Sequence, residues 1–277
     1  MVVPTLIALA TLSSGSITVD VHARAIHPGE LVVLTIGVPM PVDNLSVEVF
    51  GAPAAAYRID DHTWRALIGI DLSVKPGTYD VMIDAGHKAL NATQPLRVLP
   101  YRFATRVLRV DDAFVNPPAS LQDRIAREAQ ELAAIWETAS RQRLWTGAFV
   151  KPVPGTAVSR FGTRSVFNGK RRAPHSGADF VSAAGTPVLA PNAGKVLLAR
   201  PLYFSGNTVV IDHGLGVFSL LAHLSAIDVQ ENAMVESGQV VGRVGATGRV
   251  TGPHLHWAVH VNNARVDPLA LLELLRN

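Results

Sequence analysis

The chain has 277 residues, of which 48% are hydrophobic and 17% charged; this length suggests about two domains, and the composition supports packed cores and excludes an intrinsically disordered protein. It contains no cysteine, which excludes disulfides and thiolate metal sites, so any bound metal must have nitrogen and oxygen ligands. The net charge is +3, and the basic part of the chain begins at residue 147, after which 12 Lys and Arg stand against 7 Asp and Glu.

Residues 1–15 resemble the end of an export signal. An apolar stretch reaches Ala8-Leu9-Ala10, which fits a small-residue cleavage pattern, but it is short and no positive region precedes it. We interpret it as a truncated or misassigned signal, the alternative being a first edge strand. No run of about 18 apolar residues follows, so we predict no transmembrane anchor. The signal-like segment predicts an exported protein of the periplasm or cell envelope.

Residues 16–100 have the pattern of an all-β domain. Turn signals such as Pro28-Gly29 and Pro76-Gly77 separate short apolar or alternating runs at 17–21, 31–36, 45–50, 64–70 and 79–83. Strands at this spacing predict an immunoglobulin-like β-sandwich. Its histidines lack the spacing of metal ligands, and we expect them to be ordinary surface or turn residues: His22, His27, His62 and His87.

Residues 101–146 are predicted to be a connector that contains one helix at about 120–139. Ser120 and Asp123 resemble a capping box at its start. Apolar residues recur at helical spacing, which predicts a face that docks against one or both domains: Leu121, Ile125, Leu132, Ile135 and Trp136.

Residues 147–277 are predicted to form a second β-rich domain, in which apolar runs alternate with glycines that mark tight turns. Lys170-Arg171-Arg172 is its single basic run, either a solvated loop or part of a substrate rim. One such run is too little for a nucleic-acid surface, so we predict no nucleic-acid partner.

Histidines and one aspartate in this domain indicate metal chemistry. His254 and His256 share a face if they lie on a strand, which Pro253 and the following β-forming residues favour. The competing helical pattern of zincins fails because no Glu follows His256. In His175-Ser176-Gly177-Ala178-Asp179 the glycine permits a sharp backbone path, so both end residues could converge on one ion. Together with His223, these residues suffice for a zinc site with an open fourth position.

The same motifs resemble peptidase family M23, the LytM or lysostaphin-type zinc endopeptidases. The resemblance rests on the motif at 175–179, on Ala-His-Leu-Ser at 222–225 and on Gly-Pro-His-Leu-His at 252–256, and it covers about residues 153–275. The expected fold class is therefore mainly β, with an N-terminal immunoglobulin-like sandwich, a linker helix and a C-terminal LytM-type domain.

The resemblance implies that His175, Asp179 and His256 bind Zn²⁺ and that His223 and His254 are the catalytic pair. It implies a zinc metalloendopeptidase that hydrolyses peptide cross-links of bacterial peptidoglycan with metal-activated water. No Glu lies in these motifs, so an imidazole is the available proton carrier; the residues do not rank the two catalytic histidines. Many relatives have Tyr in place of Leu221, so efficiency or substrate range is expected to differ.

Other histidines and other functions receive weaker support. His213 is expected to be structural, and His260 to line the wall of the groove.

A non-catalytic LytM-type regulator that activates a cell-wall amidase is the alternative function, although all three ligand positions are filled. A D-alanyl-D-alanine metallopeptidase would be expected to have a Glu near the last histidine pair, and residues 252–261 contain none. The N-terminal module is expected to bind wall polymer, dock a partner or cover the active groove.

Overall fold

The computed structural model describes residues 15–86, 90–109 and 115–276, so His87 and nearly all of the expected export signal lie outside the described residues. The chain is mainly β, as predicted. It divides into two compact units: unit 1 comprises the described residues up to Tyr101 together with Val261–Val266, and unit 2 comprises Arg102–His260 and the residues from Asp267 onward.

Unit 1 contains two four-stranded antiparallel sheets, ordered β1-β2-β6-β5 and β4-β3-β7-β8. The strands are β1 Thr18–Ala23, β2 Leu31–Gly37, β3 Ser46–Val49, β4 Ala52–Ala54, β5 Ala56–Arg58, β6 Thr63–Gly69, β7 Gly77–Asp84 and β8 Asn91–Val98. Alternate residues of both sheets enter one buried cluster, for example Leu34 of β2 and Val81 of β7. The immunoglobulin-like topology stays a prediction.

The segment Val261–Val266, which the sequence placed in the second domain, belongs to unit 1. Arg265 donates two hydrogen bonds to the carboxylate of Asp71, at 2.8 and 2.9 Å. Asn262 donates to the carbonyl of Leu67 at 2.7 Å. Bidentate pairing of this kind is stronger than a single neutral hydrogen bond, and it fixes the segment within unit 1.

Unit 2 is built on a long sheet in the order β10-β13-β20-β17-β16-β15-β18, with β19 paired to β17 and β14 paired to β19. Its strands are β9 Thr105–Leu108, β10 Ala157–Ser159, β11 Arg164–Phe167, β12 Lys170–Arg171, β13 Gly177–Phe180, β14 Pro187–Leu189, β15 Gly194–Leu202, β16 Gly206–Gly214, β17 Val217–Ile227, β18 Met234–Val235, β19 Val240–Val244 and β20 Leu255–Val261. The short strand β21, Ala264–Val266, lies in the segment that belongs to unit 1.

A separate small sheet, ordered β12-β11-β9, joins the predicted connector to the segment before His175. Strand β9 pairs with β11 in parallel, with Val107 opposite Val166. The connector strand therefore belongs to the same unit as the histidine motifs.

The connector helix, α1, spans Gln122–Glu137. The prediction that Ser120 caps it is wrong: residues Ala119–Leu121 form a 3₁₀ turn that begins after Pro118, so Ser120 lies inside this turn, and the cap position of α1 is Leu121 without a side-chain hydrogen bond. The predicted docking face is confirmed for three of its residues, which pack against Leu198, Leu202 and Val210 of the sheet: Leu132, Ile135 and Trp136.

A second helix, α2, spans Pro268–Leu274 and was not predicted. Its signal was present in the sequence, since Asp267 accepts a hydrogen bond from the backbone N–H of Leu269 and Pro268 occupies the first turn. An acidic cap followed by proline is a typical helix start.

Candidate metal centre

Strands β13 and β20 bring Asp179 and His256 together. The two residues are direct partners in the antiparallel register, so their side chains lie on the same face of the sheet. The distance from Asp179 Oδ1 to His256 Nδ1 is 2.8 Å. His175, just before β13, places its Nε2 atom 2.9 Å from the same oxygen and 3.1 Å from His256 Nδ1. Three ligand-type atoms therefore converge within 4.8 Å of one another.

Hydrogen bonds of the His175 backbone and of its Nδ1 atom orient the ring. Its backbone N–H donates to the carbonyl of Thr163 at 3.0 Å and its own carbonyl accepts from Gly162 at 2.7 Å. The Nδ1 atom faces the carbonyl of Arg160 at 3.2 Å. Because a carbonyl only accepts, Nδ1 carries the proton, and the Nε2 lone pair points to the cluster.

Gly177 leaves the space that the cluster needs. A Cβ atom at this position would lie 2.4 Å from the carbonyl oxygen of Trp257 and 2.8 Å from the His256 ring. Any side chain would force β13 away from β20. The glycine was predicted to permit a sharp backbone path, but its φ is not in the left-handed region; it is required instead for close strand approach.

The donor set fits zinc. Two imidazole nitrogens and one carboxylate oxygen give the three protein ligands of a catalytic zinc site, with the fourth tetrahedral position open. Burial raises the pKa of Asp179, but the adjacent imidazoles of His175 and His256 outweigh this effect and hold that pKa well below its ordinary value. Burial lowers the pKa of His256. Both groups are thus in the deprotonated form that binds metal.

Two further imidazoles lie beside this cluster. The ring centroids of His223 and His254 are 4.9 Å apart, and His254 Nε2 is 3.9 Å from Asp179 Oδ1. His223 Nδ1 faces the carbonyl of Thr247 and His254 Nδ1 the carbonyl of Gly252, each at 2.9 Å. Both Nδ1 atoms therefore carry protons, which leaves each Nε2 as a proton acceptor.

A β-bulge places His223 in this position. The register between β16 and β17 shifts between Asn207 and Val209, and His223 has a φ of 67°, which is uncommon for a residue with a side chain. Its backbone N–H donates to the carbonyl of Ser205 at 2.8 Å. Burial lowers the pKa of His223 to about 4. Such local strain is typical of functional sites.

Thr247 is a residue that sequence reasoning missed. Its carbonyl holds His223, and its hydroxyl donates to the carbonyl of Leu224 at 2.8 Å and accepts from the N–H of Asn207 at 2.9 Å. Thr247 thus links the loop before β20 to both strands of the bulge. Residues 245–248 were noted only as a motif, and the contacts were not evident from sequence.

The remaining histidines of unit 2 do not join the cluster. His213 is fully buried; its Nδ1 donates to the carbonyl of Ala193 at 2.8 Å, and its Nε2 accepts from the Ser219 hydroxyl at 2.9 Å. The indole N–H of Trp257 donates to the same hydroxyl at 3.1 Å. The expectation that His260 lines a groove wall needs correction, because its ring stacks on Trp136 of helix α1, with centroids 4.1 Å apart.

Among the described residues, none of the helices is both long enough and apolar enough to cross a lipid bilayer.

Comparison with known proteins identifies relatives of this chain. The sequence model of Peptidase family M23 matches residues 173–268. Two curated relatives from Vibrio cholerae serotype O1 are the peptidoglycan DD-endopeptidases ShyB, 40% identical over 112 residues (38% of this chain, 26% of ShyB), and ShyA, 44% identical over 100 residues (36% of this chain, 23% of ShyA). The chain thus spans about a quarter of the length of these relatives.

One solved structure matches along most of the chain. It is the crystal structure of a Pseudomonas aeruginosa protein assigned to peptidase M23, which is 36% identical with a TM-score of 0.71. The match covers 89% of this chain and 95% of that one, so it includes residues of both units.

Proposed function

The chain belongs to peptidase family M23, and from this premise we propose that it is a zinc metalloendopeptidase that hydrolyses peptide cross-links of bacterial peptidoglycan. The observation that carries the proposal is the convergence of His175, Asp179 and His256, with His223 and His254 beside them. The names of the Vibrio cholerae relatives support the substrate class.

In this proposal His175 Nε2, Asp179 Oδ1 and His256 Nδ1 would hold zinc. Zinc in such a site lowers the pKa of water to about 7 and polarises a carbonyl group. Asp179 is the only negatively charged ligand of the three. A Zn²⁺ ion bound by them would therefore keep a net positive charge, which would stabilise a developing oxyanion.

His254 and His223 have different roles. Each presents an unprotonated Nε2. His223 is only 9% exposed, and burial disfavours the charged imidazolium, so we assign His223 to orient the attacking water by accepting a hydrogen bond. His254 is more open, being only partly buried. It accepts the proton of the water and passes it to the leaving amine.

Leu221 is fully buried in β17 and offers no polar group to the substrate. The phenol that many family members have at this position is therefore not available to orient substrate or oxyanion. We infer that His223 and His254 orient the substrate or the oxyanion without help from a phenol, which is consistent with an altered efficiency or substrate range.

The proposal extends to organisation and location. The peptidase domain contains residues 147–277 apart from Val261–Val266, together with the connector strand β9, and residues 16–100 form an immunoglobulin-like module that binds wall polymer, a partner or the active groove. Cross-linked peptidoglycan lies outside the cytoplasmic membrane, so the protein acts after export, in the periplasm or at the cell envelope.

The test uses the full chain purified with zinc and cross-linked muropeptides, with products read by mass spectrometry. We expect cleavage at a peptide cross-link, loss of cleavage with a chelator and recovery on zinc addition. Stoichiometric zinc separates this function from the amidase-activator alternative, because a regulator need not retain the metal. A zinc-loaded, folded protein that leaves every cross-link intact would refute the proposal.

A further inference from the structure

The small sheet of unit 2, ordered β12-β11-β9, leads directly to the proposed zinc site. The hydrogen bonds of the β11–β12 hairpin continue beyond β12, where the backbone N–H of Arg172 donates to the carbonyl of Ser165 at 2.9 Å. The backbone N–H of His175 donates to the carbonyl of Thr163 at 3.0 Å. The hairpin therefore carries the proposed ligand His175 at its open end, with the small sheet beside it.

One face of this small sheet is exposed to solvent. Val166 of β11 lies opposite both Val107 of β9 and Arg171 of β12. These side chains share a face, and Arg164, two residues before Val166, lies on it as well. Val107 is 72% exposed, and both arginines are exposed, whereas Ser165, on the opposite face, is buried. Val107, Arg164, Val166 and Arg171 together form what we call the arginine face.

The arginine face lies in a strongly basic part of the chain. Residues 101–109 and 150–178 contain nine Lys and Arg, three in the first segment and six in the second, and no Asp or Glu. Asp111 and Asp112, which follow in the sequence, lie outside the described residues, and counting both still leaves an excess of seven positive charges. Within the part of the chain that the structure describes, no carboxylate pairs with Arg164 or Arg171. The face therefore suits an anionic partner.

The spacing of the two arginines suits a polymer with repeated charges. Arg171 is opposite Val166, so Arg164 and Arg171 are diagonal neighbours on adjacent antiparallel strands, which places them about 7–8 Å apart. Two guanidinium groups at this spacing can contact separate anionic groups of one chain. A lipid bilayer is a poorer partner, because Val107 and the partly buried Val166 are the only apolar side chains of the face and membrane binding scales with apolar area.

We propose that the arginine face binds the carboxylates of an anionic wall polymer and so holds the protein on insoluble peptidoglycan next to the zinc site. This inference rests on the proposed function, because the partner is the polymer whose cross-links that function cleaves. A peptide stem with a free C-terminus carries a carboxylate, so a polymer with many stems is a polyanion at neutral pH. A single exposed ion pair is weak, but contacts to neighbouring groups of one polymer reinforce each other.

The test measures co-sedimentation of the full zinc-loaded chain with insoluble peptidoglycan, on ice so that little polymer is cleaved. At low salt, the double variant Arg164→Gln with Arg171→Gln should bind about three- to tenfold more weakly than the wild type. At about 1 M NaCl, screening should remove this difference. The same variant should cleave a short soluble cross-linked peptide with the wild-type kcat/KM, because such a peptide has no neighbouring stems.

The double variant Arg127→Gln with Arg243→Gln is the matched control. Both arginines are exposed and lie in unit 2 outside the small sheet, on α1 and β19, so this variant removes the same charge and should keep wild-type binding.

A second comparison changes the polymer instead of the protein. Peptidoglycan whose carboxylates have been converted to amides should bind the wild type as weakly as native peptidoglycan binds the arginine-face variant. This comparison does not depend on whether any variant folds.

The outcomes separate the two proposals. Wild-type binding by the arginine-face variant, an equal loss in the control variant, or equal binding of native and amidated polymer would each overturn the arginine face while the peptidase function stands. Tighter binding to vesicles of anionic phospholipid than to peptidoglycan would overturn it in favour of a membrane. An intact short peptide after incubation with the wild type would overturn the peptidase function, whatever the binding measurements show.

Discussion

Asp179 and His256 are direct neighbours across two antiparallel strands, with Oδ1 and Nδ1 2.8 Å apart. They are 77 positions apart in the sequence, so it is the register of β13 against β20 that makes them one site. A slip of one residue would turn one of them to the opposite face of the sheet. Features that fix this register are therefore as important to the site as the ligands themselves.

Replacing Asp179 by Asn should remove zinc while leaving the chain folded. The amide is nearly the same size but lacks the charge, and loss of residues that merely support a ligand already costs about ten- to a hundredfold in metal affinity. We expect more than a hundredfold weaker zinc binding and no detectable cleavage. Asp228→Asn, which alters an exposed carboxylate of the same unit, should change neither zinc content nor rate. Stoichiometric zinc in the Asp179 variant would contradict the assigned ligand.

Replacing Gly177 by Ala should damage stability and zinc binding together, because the new Cβ would lie 2.4 Å from the Trp257 carbonyl oxygen. Steric conflict of this kind costs about 1–3 kcal/mol, which denaturant unfolding measures directly. Gly252→Ala is the control, since a Cβ at Gly252 meets nothing within 4 Å. Equal stability of the two variants would mean that the strands separate at little cost.

His213 should make the protein sensitive to mild acid. Burial lowers its pKa to about 4 from 6.5. Above pH 6.5 the ring is neutral in both folded and unfolded chains, and its full contribution to stability is present. As the pH falls from 6.5 to 4, the His213 imidazole binds a proton in the unfolded chain but stays neutral in the folded chain. About 3 kcal/mol of stability is therefore lost.

The measurement is urea unfolding of the wild type and of His213→Gln at pH 7 and pH 4.5. The variant should be less stable at pH 7, because the hydrogen bonds to Ala193 and Ser219 are disturbed. Its stability should also fall less between the two pH values. Since all other titrating groups are common to both proteins, parallel losses would show that His213 is not the source.

Trp136→Ala should loosen helix α1 from the sheet. The indole stacks on His260 at 4.1 Å and meets the edge of Phe218 at 5.4 Å between centroids. Because the side chain is only partly buried, the expected loss of unfolding free energy is about 2–3 kcal/mol, below that of a core tryptophan. Gln130→Ala, on the exposed side of the same helix, should change it by less than about 0.5 kcal/mol. Similar losses in both variants would argue against the stacking contact.

Sequence reasoning was strongest where chemistry requires particular residues at fixed spacing. The candidate set of four histidines and Asp179 stood out because few residue types bind zinc, the choice of His175, Asp179 and His256 as ligands came from the resemblance to family M23, and the β-rich pattern followed from alternating apolar runs. Sequence reasoning was weaker for features that tertiary contacts determine. The bulge that turns His223 inward, the Thr247 carbonyl that holds it and the stacking of His260 on Trp136 all depend on residues distant in the chain.

Local signals also failed in two ways. Ser120 has a capping side chain, yet the 3₁₀ turn after Pro118 uses it as an interior residue. Asp267 and Pro268 form a genuine helix start, but the helix has only seven residues including Pro268, too few for a periodic pattern to stand out.

The parallel pairing of Thr105–Leu108 with Arg164–Phe167 sets a limit on how this protein can be shortened. A fragment that starts at residue 147 would contain all five histidine and aspartate positions, yet it would leave the backbone N–H and C=O groups of Arg164–Phe167 open along one side. Such an open strand invites pairing between molecules. A well-behaved catalytic fragment should therefore start before Thr105, and aggregation of the shorter one would say nothing against the chemistry assigned here.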